Sequence, residues 1–129
     1  MTDTQATLQL ARDLLSRGDP STAGLWPRAA ALLIRQALEE AVDAYWTTRQ
    51  LPLESVSTQT QLVCLRMMTA DNALRGQLHE AWGSLSRACH HHPYELAPTA
   101  GELATWIEVV EEFGRHPEQG DTQESVRGR

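Results

Sequence analysis

The segment Arg87-Ala88-Cys89-His90-His91-His92-Pro93-Tyr94 gathers a guanidinium, a thiol, three imidazoles and a phenol within eight positions. Three of the five histidines of the chain are here, and no other stretch concentrates reactive side chains in this way. One chemistry open to these types is metal binding. Cys89 and His92 lie three apart and share a helical face, but zinc takes four protein ligands in a structural site and three in a catalytic one. Only two side chains of the cluster converge from one face, His79 lies elsewhere, and there is no CxxC or HExxH motif. The expectation is a partly buried cysteine beside solvated histidines, with no metal and no other cofactor. A bundle that binds a metal or small ligand through Cys89 and the histidines is the weakest of the readings.

The second chemistry needs no metal. An arginine with a histidine suffices to cleave RNA by internal attack of the ribose 2′-hydroxyl. His92 would move the proton, because an unperturbed imidazole titrates near neutrality. Arg87 would grip the scissile phosphate with two parallel hydrogen bonds and stabilise its developing charge. Arg87 and His91 are four apart and share a helical face. His92 rejoins Arg87 only where the helix unwinds, which Pro93 favours by pushing its predecessor out of the α region. A structural alternative stands beside this. A histidine at a helix C-terminus meets the negative end of the dipole and the free carbonyls, and Arg87 is then an ordinary solvated residue. Spacing alone ranks that alternative first.

Other nucleophiles offer less. Cys64 sits on an apolar helix and reads as a core thiol. There is no Gly-x-Ser-x-Gly elbow, P-loop or glycine-rich dinucleotide fingerprint. Arg35, Glu39, Glu40 and Asp43, and likewise Glu111 and Glu112, read as solvated helical faces without an acid–base role.

Helices must position these groups, because the apolar spacing is helical throughout. Leu8, Ala11, Leu14 and Leu15 mark a first helix that stops at Gly18-Asp19-Pro20. A second starts near Trp26-Pro27, with proline suited to the first turn. Its stripe of Trp26, Ala30, Leu33, Ile34, Ala37, Leu38, Ala41, Val42 and Tyr45 makes it the central core helix. Ser57 or Thr58 caps a third helix through Met68, in which Leu62, Val63, Leu65 and Met67 are apolar. Asp71 caps a fourth, with Leu74, Leu78, Ala81, Trp82, Leu85 and Cys89 buried and an end near His92. Thr99-Ala100-Gly101-Glu102 is a capping box opening a fifth helix, in which Leu103, Trp106, Ile107, Val110 and Phe113 form the stripe and Gly114 is the stop. The sum is an all-α antiparallel bundle of about five helices over residues 1–115. Its second and fourth helices are central, and residues 116–129 form a polar, flexible tail.

The totals agree with a single domain. The chain has 129 residues and a net charge of −6, and its eleven cations are all arginine. An acidic total argues against broad, salt-driven coating of nucleic acid, and leaves room for a small RNA-cleaving site. Two cysteines, Cys64 and Cys89, are not a disulfide framework. No apolar run nears the roughly 20 residues that span a bilayer, and the N-terminus lacks the pattern of a signal peptide. A reduced, cytoplasmic setting without membrane contact is expected.

Arg87-x4-His92 on the late helix of a small all-α bundle resembles the R-x4–6-H motif of the HEPN superfamily. The extended form R-x4-H-x-Y, found in HEPN toxins of toxin–antitoxin pairs, is met by Arg87, His92 and Tyr94. The segment Ala29 to Ala41 is similar to the Ala- and Gln/Glu-rich second helix of that superfamily, and the likeness extends over roughly Thr4 to Phe113. The resemblance implies a homodimer whose two motifs face each other to form one composite, metal-independent endoribonuclease site acting on RNA. In it Arg87 clamps phosphate, His92 is the acid–base, His91 assists, and Tyr94 matches a tyrosine nucleotidylated by a nucleotidyltransferase-like antitoxin partner. The chain departs from the pattern directly after the arginine, where catalytic members usually carry a polar residue and this one has Ala88. A catalytically inactive, partner-binding HEPN-like module is the alternative.

Overall fold

A computed structural model describes residues 3–17, 26–53, 55–68, 73–90 and 96–115. These fold into five helices and no strand: α1 (Asp3–Arg17), α2 (Trp26–Thr48), α3 (Thr58–Met68), α4 (Ala73–Cys89) and α5 (Ala100–Arg115). The fold is the expected all-α bundle. The Gly18–Pro20 stop, the Asp71 cap and the tail over 116–129 lie outside the described residues. Among the described residues no helix is long and apolar enough to cross a membrane.

α2 packs on all four other helices, which explains why its buried face is wider than one stripe. Ala30, Ile34, Ala37, Leu38, Ala41, Val42 and Tyr45 are buried as the spacing predicts, and Ala31 and Trp46 are buried in addition. Trp26 and Leu33 are only partly covered. The four buried alanines keep this surface shallow, so neighbouring helices can approach closely. Around α2 the core is completed by Leu8 and Ala11 of α1, Leu62 and Leu65 of α3, Leu78, Ala81 and Leu85 of α4, and Leu103, Ile107, Val110 and Phe113 of α5.

The helix ends show which local signals operate. The Ser57 Oγ accepts the Thr60 amide at 3.3 Å and caps α3. The capping box of α5 forms in both directions: the Thr99 amide donates to Glu102 Oε1 and the Glu102 amide to Thr99 Oγ1, each at 3.1 Å. α2 closes on a Schellman motif, with the Leu51 amide donating to the Trp46 carbonyl and the Gln50 amide to that of Thr47. That motif needs a left-handed residue, and Gln50 supplies it at φ 60°. α5 runs through Gly114 to Arg115.

Four polar positions differ from expectation. Arg35 and Glu39 are not simply solvated. Trp82 of α4 donates its Nε1–H to Glu39 Oε2 at 3.1 Å, Arg35 Nε reaches the same oxygen at 3.3 Å, and the Arg35 guanidinium lies 5.9 Å from the Trp82 ring centre. A half-covered indole needs an acceptor for its N–H, and this one finds it on α2. Glu111 likewise pairs with Arg12 through both carboxylate oxygens, tying α5 to α1. The fully buried Arg75 carried no sequence signal at all. Its Nη1 donates to the Leu65 carbonyl and its Nη2 to the Tyr45 hydroxyl, each at 3.0 Å. Leu65 lies in the last turn of α3, where carbonyls lack helical donors, so Arg75 caps α3 from α4.

Candidate functional site

α4 carries Arg87 to the edge of the bundle. Ala81 and Leu85 face the core, while Arg87, rotated off that face, is exposed. Its Nη2 donates to Ser84 Oγ one turn back, at 3.2 Å. The adjacent Ala88 and Cys89 pack against the core. The helix ends at Cys89, earlier than the expected end near His92, and the His90 amide closes the last turn on the Arg87 carbonyl at 3.2 Å. A cation in this last turn faces the negative end of the α4 dipole, which is its favourable place.

The chain returns past this end through Leu96, Ala97 and Pro98 before α5 begins. These three residues, with Arg28, Arg87, Ala88 and His90, line a depression of about 20 Å³, room for about one water-sized group. Arg28 comes from the first turn of α2, so the two ends that meet here are the N-terminus of α2 and the C-terminus of α4. Two guanidiniums and an imidazole border the depression, and none of the described residues lining it carries a carboxylate. Such a surface attracts anions, and guanidiniums suit phosphate oxygens in particular.

Of the four expected site residues, Arg87 is placed as an accessible cation. His91, His92 and Tyr94 lie outside the described residues. Arg28 is the residue the sequence reading missed. A signal for it exists: a cation in a first helical turn opposes the positive end of the dipole, and α2 has no acidic residue there to offset it. Of the two histidines outside the cluster, His79 belongs to a different contact. Arg66 of α3 donates to its Nδ1 at 3.3 Å, and burial together with the Arg66 charge holds this imidazole below its ordinary range. It is therefore the neutral tautomer with the proton on Nε2. Cys64 and Cys89 are free thiols, both partly buried. Among the described residues no three His, Cys, Asp or Glu side chains converge as a metal site would require.

No family model, curated protein or solved structure matches the chain.

Proposed function

We propose that the chain is a HEPN-like protein that cleaves RNA without a metal, as a homodimer, within a toxin–antitoxin or defence system. The observation that carries this reading is the meeting of Arg28, Arg87 and His90 at the C-terminal end of α4. In sequence, Arg87 and His90 stand directly before the segment that supplies His91, His92 and Tyr94 of the R-x4-H-x-Y motif. Cleavage needs a gripped phosphate and a group that moves one proton. Arg87 serves the first need. His92 takes the proton from the 2′-hydroxyl as its oxygen attacks phosphorus, and the imidazolium so formed returns it to the 5′-oxygen as the bond from that oxygen to phosphorus breaks. His91 assists, and Tyr94 lines the site or carries a regulatory modification.

A second reading rests on Ala88. Its methyl group packs against the core, so the position after Arg87 offers no polar atom to the phosphate. An inactive HEPN-like module that binds a partner protein would keep the same cationic end without needing one.

The test is cleavage of a labelled RNA by purified protein in the presence of EDTA, beside growth on expression. Wild type is expected to cut and to arrest growth. Arg87→Ala and His92→Ala should each lose cleavage by about a hundredfold or more and restore growth. Equal growth of wild type and both variants, with intact RNA throughout, sinks the nuclease. A dimer that is silent in both assays supports the partner-binding module. A monomer at micromolar concentration removes the composite site.

A further inference from the structure

A helical arginine pairs readily with an acid three or four positions away, as Arg35 does with Glu39 and Arg115 with Glu112. Arg28 has Gly24, Leu25, Ala31 and Leu32 at those spacings, and Arg87 has Gly83, Ser84, His90 and His91. Neither has a carboxylate along its own helix, yet the fold brings both to one depression. Building on the RNA-cleaving reading, we propose that Arg28 is a phosphate-binding residue: with Arg87 it holds one phosphodiester of the RNA strand.

Charge sets the ligand's sign. The N-terminus of α2 presents the positive end of its dipole here, and the C-terminus of α4 the negative end of its own. These offset each other, so the attraction for an anion comes from the arginines. A guanidinium carries five N–H groups, and the bond from Arg87 to Ser84 takes one. Arg28 is partly buried where Arg87 is exposed, so it has less side-chain freedom to lose when an oxygen arrives.

Shape sets the ligand's class. A depression of about 20 Å³ is too small to enclose a phosphate and admits about one of its oxygens. Such a shallow seat suits a diester whose strand runs on in both directions, and it leaves a free phosphate ion mostly in water. Leu96, 97 % exposed, stands at the same rim. It offers an apolar contact to the ribose or base beside the phosphate, which the free ion lacks.

The test titrates a labelled 2′-O-methyl oligouridylate with the full chain in EDTA, followed by fluorescence anisotropy. This strand keeps every phosphate and cannot be cut by 2′-attack, so binding is read apart from cleavage. Wild type should bind it saturably. Arg28→Gln should weaken binding by about tenfold, the loss of one charge-assisted hydrogen bond. It should also make the fall of log K with log salt shallower by about one. Arg28→Lys, which keeps the charge, should restore most of that slope. Affinity and slope unchanged in Arg28→Gln overturn the proposal, as does a wild type that does not bind the strand. Inorganic phosphate that displaces the strand at equal concentration overturns it too, by assigning this end to the free ion. Strand binding that depends on Arg28, with unmodified RNA left intact, keeps the Arg28 site and sinks the nuclease. Wild-type cleavage and binding in Arg28→Gln do the reverse.

Discussion

Removing one hydroxyl measures the buried arginine. In Tyr45→Phe the ring keeps its contacts with Trp46 and Phe113, and the acceptor for Arg75 Nη2 is lost. Arg75 is 1 % exposed, so water does not replace the missing oxygen. A hydrogen bond to a charged group contributes about 1.5–3 kcal/mol. With a urea slope of about 1.5 kcal/mol/M, a loss of about 2 kcal/mol lowers the unfolding midpoint by about 1.3 M. Arg75→Leu should lose more, about 3–5 kcal/mol, because it removes the donor to both the Tyr45 hydroxyl and the Leu65 carbonyl and with it the cap of α3. Once the guanidinium is gone, the hydroxyl has nothing to accept from it. The double variant should therefore be less destabilised than the sum of the two, by about the strength of the shared bond. Equilibrium unfolding in urea, followed by far-ultraviolet circular dichroism and tryptophan fluorescence, gives all four midpoints. A Tyr45→Phe midpoint within about 0.3 M of wild type, or strictly additive losses, would refute the reasoning.

Two further outcomes follow from backbone and charge. Gln50 adopts a left-handed conformation that disfavours side chains by about 1–2 kcal/mol. Gln50→Gly should raise stability by about 0.5–1 kcal/mol after the added chain entropy of glycine, read as a higher urea midpoint. His79 is held below its ordinary value of 6.5, first by burial and then by Arg66. The unfolded chain then takes up the proton more readily, so the contribution of His79 is complete above 6.5 and is lost as pH falls through the folded value. Glu111, lowered by its bond to Arg12, acts in the same direction nearer pH 4 and below. Melting temperature should therefore decline as pH falls below 6.5, and His79→Gln should flatten that decline. A slope unchanged in His79→Gln would assign the effect elsewhere.

The helices were legible because their signals are local and redundant. The Thr99–Glu102 box closes as its spacing demands, and the three–four stripe of α2 marks most of its buried face. What could not be read depends on which helix lies opposite. Nothing near Arg75 distinguishes it from Arg66 in sequence, yet one is fully buried and the other exposed. The difference is that Tyr45 and the end of α3 converge on Arg75 from distant parts of the chain. Arg35 and Glu39 show the same effect, since their i, i+4 spacing reads as a surface pair until Trp82 arrives from α4 to share the oxygen. At the candidate site Arg87 was legible as an accessible cation. Arg28 was not, because the partner that gives it meaning lies 59 positions away (87 − 28).

With no lysine in the chain, charge type cannot rank the cations, so their surroundings must. Arg12, Arg35 and Arg115 are held by carboxylates. Arg66 meets His79, Arg75 is spent on a carbonyl and a phenol, and Arg49 lies on an aromatic face. Each of these tasks is met within the bundle. Arg28 and Arg87 differ: they border one depression, and among the described residues neither meets a carboxylate there. Bringing two like charges to one place opposes folding, and the α2 dipole adds to the opposition at Arg28. An anion bound between them would reverse both penalties. That makes this end, rather than the histidine count, the feature on which a phosphate-directed function depends.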